Sequence, residues 1–297
     1  MVPGRLRTAW LLLAFPAWGG LGNAAPVTFN TALPVAKGMF VFRELFVVRR
    51  AQGHGRKAQA WNSVAVLGYG LDPRWAVFAV LPVVGGKSLS LPTAAGRRQR
   101  SAAGLGDLLL FSRYTVYQRD LPGQTLRLAP FLGVEFPTGE DNDKGKAGRL
   151  PPALQPGSGS WDAVAGVVVS WQTLAWEVDA QVGYRLNTEA HGFKAGDRVA
   201  LDASWQQRLW PRRLTSGLPG FLYGVLEVNG SYQWRNRISG HNDPNSGGWR
   251  LFLTPGLQYA ARRWVVEGVV QLPLVQDLNG RALEDDWIVR AGFRIAF

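Results

Sequence analysis

The sequence predicts an all-β fold, a transmembrane antiparallel β-barrel of about twelve strands, on three observations. Apolar and polar residues alternate with a period of two along successive segments, connections alternate between short and long, and the N-terminus is organised like an export signal. Composition agrees: 297 residues with 36 Gly, 18 Pro and only 18% charged side chains favour short strands joined by turns over helices. Mean hydropathy is -0.05, and beyond the N-terminus no uninterrupted apolar run reaches the ~18 residues that a membrane helix needs.

Residues 1–24 carry Arg5 and Arg7, the apolar run Ala9 to Phe15, and small residues ending at Ala24. A basic region, a short apolar segment and a small-residue cleavage site are the parts of a secretory signal peptide. Cleavage after Ala24 leaves 25–297 as one barrel domain, with no separate soluble domain and no room for a large globular plug.

The clearest strand runs from Ala175 to Asn187. Trp176, Val178, Ala180, Val182, Tyr184 and Leu186 alternate with Glu177, Asp179, Gln181, Gly183, Arg185 and Asn187, which gives one apolar and one polar face. Residues 198–209 and 221–237 repeat the pattern. Weaker copies cover 125–136, 250–259 and 287–297. Strands with less distinct faces are expected over about 38–49, 59–70, 75–84, 104–118, 158–170 and 264–274.

The connections at 71–74, 119–123, 171–174 and 260–263 are brief, with 210–220 a longer exception. Those at 50–58, 85–103, 137–157, 188–197, 238–248 and 275–285 are wide. A membrane barrel has this asymmetry, with short turns and both termini on the periplasmic side. Lipid offers no hydrogen bonds, so the sheet must close. The apolar face then meets lipid and the polar face lines the lumen, while aromatics near strand ends, such as Trp176, Tyr232 and Trp264, fit interfacial girdles. Pro130 and Pro255 fall within strands and predict bulges or shifted boundaries there.

Several motifs occur in order along the chain: Gly104-Leu-Gly-Asp-Leu108, Phe136-Pro-Thr-Gly139, Leu150-Pro-Pro-Ala-Leu-Gln155, Gly157-Ser-Gly-Ser-Trp-Asp162, Tyr184-Arg-Leu-Asn187, Asp243-Pro-Asn-Ser-Gly-Gly248, Pro255-Gly-Leu-Gln-Tyr259 and Gln276-Asp-Leu-Asn-Gly280. Together they resemble the MetA-pathway of phenol degradation family of outer-membrane, transporter-like proteins. The resemblance implies a bacterial outer-membrane barrel that passes small, hydrophobic or aromatic compounds. It implies no catalytic residues.

On this reading the candidate lumen-lining charges are Arg127, Glu135, Glu177, Asp179, Arg185, Arg198, Asp202, Arg208, Glu227, Arg235, Arg250, Glu267, Arg290 and Arg294, with Asp107, Arg113 and Arg237 beside them. The excess of arginine suits an anion-preferring pore, or the charges pair across the lumen, because unpaired buried charges are costly.

The chain has no Cys and three His, which removes thiol catalysis and cysteine-ligated metals. His54, His191 and His241 fall in expected long loops, so neither a Ser–His catalytic pair nor a metal site is predicted, and no cofactor. The net charge of +12 is spread over alternate strand positions and does not gather in a nucleic-acid-binding patch. Expected partners are outer-membrane lipid, lipopolysaccharide phosphates at Arg97, Arg98 and Arg100, a small solute, and the barrel-assembly machinery, for which Phe293, Ile295 and Phe297 form the signal. The expected function is a non-enzymatic channel. A non-conducting structural or surface-interaction barrel is the alternative, ahead of a barrel lipase or deacylase.

Overall fold

The computed structural model describes residues 24–93, 96–145, 148–213 and 220–297. Apart from Ala24, the expected signal peptide lies outside the described residues. Twelve antiparallel strands form one closed barrel. They are β1 (Phe40–Gly53), β2 (Arg56–Asp72), β3 (Trp75–Thr93), β4 in three pieces (Gly96–Leu105, Leu108–Tyr114, Tyr117–Leu121), β5 (Gln124–Phe136), β6 (Asp162–Thr173), β7 (Trp176–Leu186), β8 (Arg198–Trp210), β9 (Gly220–Gln233), β10 (Gly248–Ala261), β11 (Trp264–Leu278) and β12 (Glu284–Ala296). Closure is made by β1 against β12, from Val41↔Ala296 to Gln52↔Glu284. At the base of this seam Phe40 and Phe297 exchange two backbone hydrogen bonds, 2.7 and 3.0 Å.

Side-chain orientation is inverted relative to a soluble protein. Leu132, Val182, Leu201, Trp205, Leu257 and Val266 are exposed on the outside, whereas Glu177, Asp179, Gln206, Glu227, Thr254 and Gln258 are buried inside. An apolar outer band around a polar interior is the arrangement that lipid imposes. Exposed Trp75, Trp171, Trp210 and Trp264 mark the short-turn end, and Trp61, Trp161, Trp234 and Trp249 mark the other, as interfacial aromatics do.

Two of the expected long loops are strand instead. β1 and β2 stay paired to Gly53↔Arg56, and β3 and β4 to Thr93↔Gly96. With 19 residues, β3 far exceeds the ~9–11 that span a bilayer, so these hairpins stand above the membrane. Two other loops join: Phe193–Lys194 pairs with Arg237–Ile238 in a small sheet over the long-loop end.

The prolines act through their neighbours. Pro130 keeps its register opposite Val167 on β6; on its other side β4 breaks between Tyr114 and Tyr117, where proline has no N–H to offer. At Pro255 the ladder to β11 has a gap between Leu253 and Gly256.

Candidate functional site

The candidate site is the lumen, and its principal occupant is the chain itself. Residues 24–36 do not join the wall, and Lys37 makes only a single bridge to Gly70 on β2; the segment runs around the inside of the short-turn half, held by side chains from six strands, among them Arg43 on β1, which donates to the Val27 carbonyl at 2.9 Å. Gln258 on β10 exchanges two hydrogen bonds with the backbone of Ala25, both 3.1 Å. Glu227 on β9 accepts from the N–H groups of Val27, at 2.6 Å, and Thr28, at 3.3 Å, and from the Thr28 hydroxyl. Gln181 on β7 receives the Asn30 N–H at 3.3 Å, and Ser170 on β6 receives that of Ala32 at 2.7 Å. Arg113 on β4 donates to the carbonyls of Thr31 and Leu33, and Gly38 bonds Gly70 on β2 at 2.8 Å. Val27 packs into the apolar cluster of Leu45, Val47, Val225, Phe252, Val269 and Ile288. The barrel is therefore not an empty tube: an extended segment narrows it, which the sequence reading did not anticipate.

A cavity of about 1190 Å³ is bounded by this segment and the wall. Its two sides differ. Across β1 to β6 the lining is apolar apart from Arg43 and Arg113, with Leu45, Val64, Val66, Phe78, Val80, Leu109, Phe111, Phe131 and Val164 facing in; across β7 to β12 it includes Gln181, Arg185, Arg198, Asp202, Asn229, Gln271, Arg290 and Arg294. The expectation of a polar lumen all round is corrected: half of it is apolar. Phe78 and Phe111 stack at 4.7 Å between centroids and Phe111 meets Phe131 edge-on at 6.2 Å, while the Arg113 guanidinium lies 4.9 Å over Phe78. Phe78 and Phe111 were missed because strands apolar on both faces show no alternation, and Phe131 because it is an apolar residue on the otherwise polar inner face of an alternating strand.

The expected lining charges divide into groups. Arg185, Arg198, Asp202, Arg290 and Arg294 line the cavity. Glu177, Asp179, Glu227 and Glu267 are buried off it: Glu227 is capped by the N-terminal segment, and Glu267 is paired with Arg43 at 2.5 Å and bonded by Gln258 at 2.6 Å. Glu135 pairs with Arg185 at 2.7 Å, and Arg250 lies 3.3 Å from Asp285. Arg127 and Arg208 sit at the short-turn end, where Arg208 donates to the Leu174 carbonyl at 2.6 Å. Arg235 is corrected, since it lies past the end of β9 and is exposed, as is Arg237 in the loop sheet. Phe293 and Ile295 face outward on β12, and Phe297 stacks on Phe40 at 5.8 Å. His191 contacts Asp141 at 2.7 Å and His54 occupies the β1–β2 turn, both at the long-loop end.

The sequence motifs converge in space. Asp107, at the break in β4, accepts from Gly139 N–H at 2.8 Å, Ser158 N–H at 2.6 Å and the Ser158 hydroxyl at 2.7 Å. A Cβ on Gly139 would come within 2.6 Å of the Gly106 backbone, and one on Gly157 within 2.8 Å of the Asp107 carboxylate. One carboxylate thus ties the 137–161 loop to the wall, and only glycine permits the approach.

A closed sheet with lipid-facing residues outside and a partly filled, two-faced lumen defines a transmembrane β-barrel of the outer-membrane type. A family model described as Putative MetA-pathway of phenol degradation matches residues 60–266, and the chain belongs to that family. Among solved structures, the COG4313 outer membrane channel from Pseudomonas putida F1 is similar in fold, with 13% identity, TM-score 0.68, and 93% of this chain and 100% of that chain covered. The beta domain of the Bordetella autotransporter BrkA aligns with TM-score 0.49 and 13% identity, covering 88% of this chain and 100% of that one. No curated protein matches.

Proposed function

We propose that the protein is an outer-membrane channel for small hydrophobic or aromatic solutes, closed on its periplasmic side by residues 25–37. The observation that carries this reading is the cavity, in which Phe78, Phe111 and Phe131 face a polar wall. An apolar surface with a few placed polar groups is what a small aromatic needs for recognition. The N-terminal segment fits a gate: its backbone is held by wall side chains, so it can leave without unzipping the barrel. On this reading lipid surrounds the band of exposed apolar residues, lipopolysaccharide meets the Arg97, Arg98 and Arg100 hairpin, and the barrel-assembly machinery engages β12.

Single-channel recording of the refolded protein in a planar bilayer tests the proposal. Discrete conductance steps blocked by small aromatic solutes are expected. A silent membrane, with protein shown to be folded by a heat-modifiable gel shift, would overturn it in favour of a closed structural barrel, a reading that the segment inside the lumen also fits.

A further inference from the structure

The inner wall carries a recess beside an arginine pair. Strand register places Phe131, Gly166, Gly183 and Ala200 side by side across β5 to β8. The Phe131 ring lies over Gly166, whose Cβ would meet it at 2.4 Å, and a Cβ at Gly183 would touch nothing closer than 3.8 Å. Gly183 and Ala200 thus form a flat floor ended by the Phe131 ring, which covers Gly166. In the next row toward the long-loop end, Arg185 and Arg198 stand directly opposite each other across β7 and β8. Like charges so placed repel. Glu135 answers Arg185, but Arg198 has no hydrogen bond or ion pair with the other described residues. Asp202 lies two inward positions below Arg198, beyond Ala200, its carboxylate engaged by Asn229 at 3.0 Å.

The surrounding charge points the same way. Among the described residues lining the cavity are nine lysine and arginine side chains and one side-chain carboxylate, Asp202. Of these cations Arg43 and Arg185 are ion-paired with Glu267 and Glu135 and Arg294 is also partnered, while Glu227 and Asp179 are engaged by the N-terminal segment and by Ser170. Arg290 has Glu227 as its foremost electrostatic neighbour and the cations Arg43, Arg198 and Arg49 around it, and among the described residues it donates to Gln271 at 2.8 Å. An anion entering this space meets guanidinium forks that bind carboxylates well.

We propose that this recess binds small aromatic carboxylates, with the ring over Gly183 and Ala200 against Phe131 and the carboxylate received by Arg198 and Arg185. The inference rests on the channel reading for its biological meaning, since it names the solute class, but binding can be measured apart from conduction. Isothermal titration of the folded full-length barrel with benzoate, benzyl alcohol and acetate separates ring from charge. Benzoate should bind at least tenfold more tightly than either of the others. Arg198→Gln should bring benzoate to the level of benzyl alcohol and leave benzyl alcohol unchanged, while Gly183→Val, for which there is space, should weaken both aromatics equally. Arg198→Lys, which keeps the charge and loses the fork, should weaken benzoate less than Arg198→Gln does. Equal binding of benzoate and benzyl alcohol, or an Arg198→Gln barrel that still prefers benzoate, would overturn the site. Benzoate binding without conductance would instead remove the channel and leave the site standing.

Discussion

Gln258 holds Ala25 by both its backbone groups, 233 residues away in sequence: its amide nitrogen donates to the Ala25 carbonyl and its amide oxygen accepts the Ala25 N–H, each at 3.1 Å. The wall side chain replaces the strand partner that residues 24–36 lack. Glu227 does the same at Val27 and Thr28. Glu227→Ala would leave two backbone N–H groups without that acceptor, each costing about 1–3 kcal/mol if it stays buried. As ~1.4 kcal/mol is a factor of ten in an equilibrium, the released state should gain at least tenfold in population. The expected result is a higher open probability in planar bilayers; an unchanged one would deny the segment a gating role.

Asp107→Ala should free the 137–161 loop from the wall. Three hydrogen bonds to one carboxylate are lost, and charge-assisted bonds contribute about 1.5–3 kcal/mol each. Limited proteolysis of intact outer membranes should then cut this loop many-fold faster while the barrel keeps its gel shift. Equal cleavage in both proteins would show that the apolar contacts of Leu150 and Leu154 with Ala102 hold the loop alone.

How much of this was legible follows from which way the side chains face. β7, β8 and β9 put Glu177, Asp179, Asp202 and Glu227 inside and Val178, Val182, Leu201 and Leu226 outside, so their alternation reads directly. β2 and β3 put Val64, Val66, Phe78 and Val80 inside and also face lipid with Leu67 and Val83. Apolar on both sides, they lose the period of two, and the indistinct stretches of the sequence turn out to form much of the apolar wall of the cavity. The N-terminal segment was illegible for another reason. Its partners lie up to 233 residues away, and no local pattern records them. Arg235 was misplaced because alternation continued in the sequence past Gln233, where the strand stops.

Loss of Phe297 should impair insertion. Its backbone completes the β1–β12 seam through Phe40 and its ring stacks there, so the residue serves closure as well as any recognition by assembly machinery. Deleting it should lower the heat-modifiable fraction in cell outer membranes more than the refolding yield in lipid vesicles. Equal losses in the two assays would assign the residue to closure alone.

The lipid-facing band makes a position-dependent prediction. Leu132 lies midway along β5 with 66% of its surface exposed, while Leu174, 60% exposed, sits in the turn between β6 and β7. In a soluble protein both would be ordinary surface sites, and arginine at either would cost little. In a bilayer the cost of arginine is about 2–4 kcal/mol at the midplane and falls to about 0–1 near the interface. Urea titration of the barrel in lipid vesicles should therefore show Leu132→Arg destabilised by that larger amount and Leu174→Arg hardly at all. Equal effects at the two sites would mean that the outer wall does not face hydrocarbon, and both the membrane placement and the channel reading would fall with it.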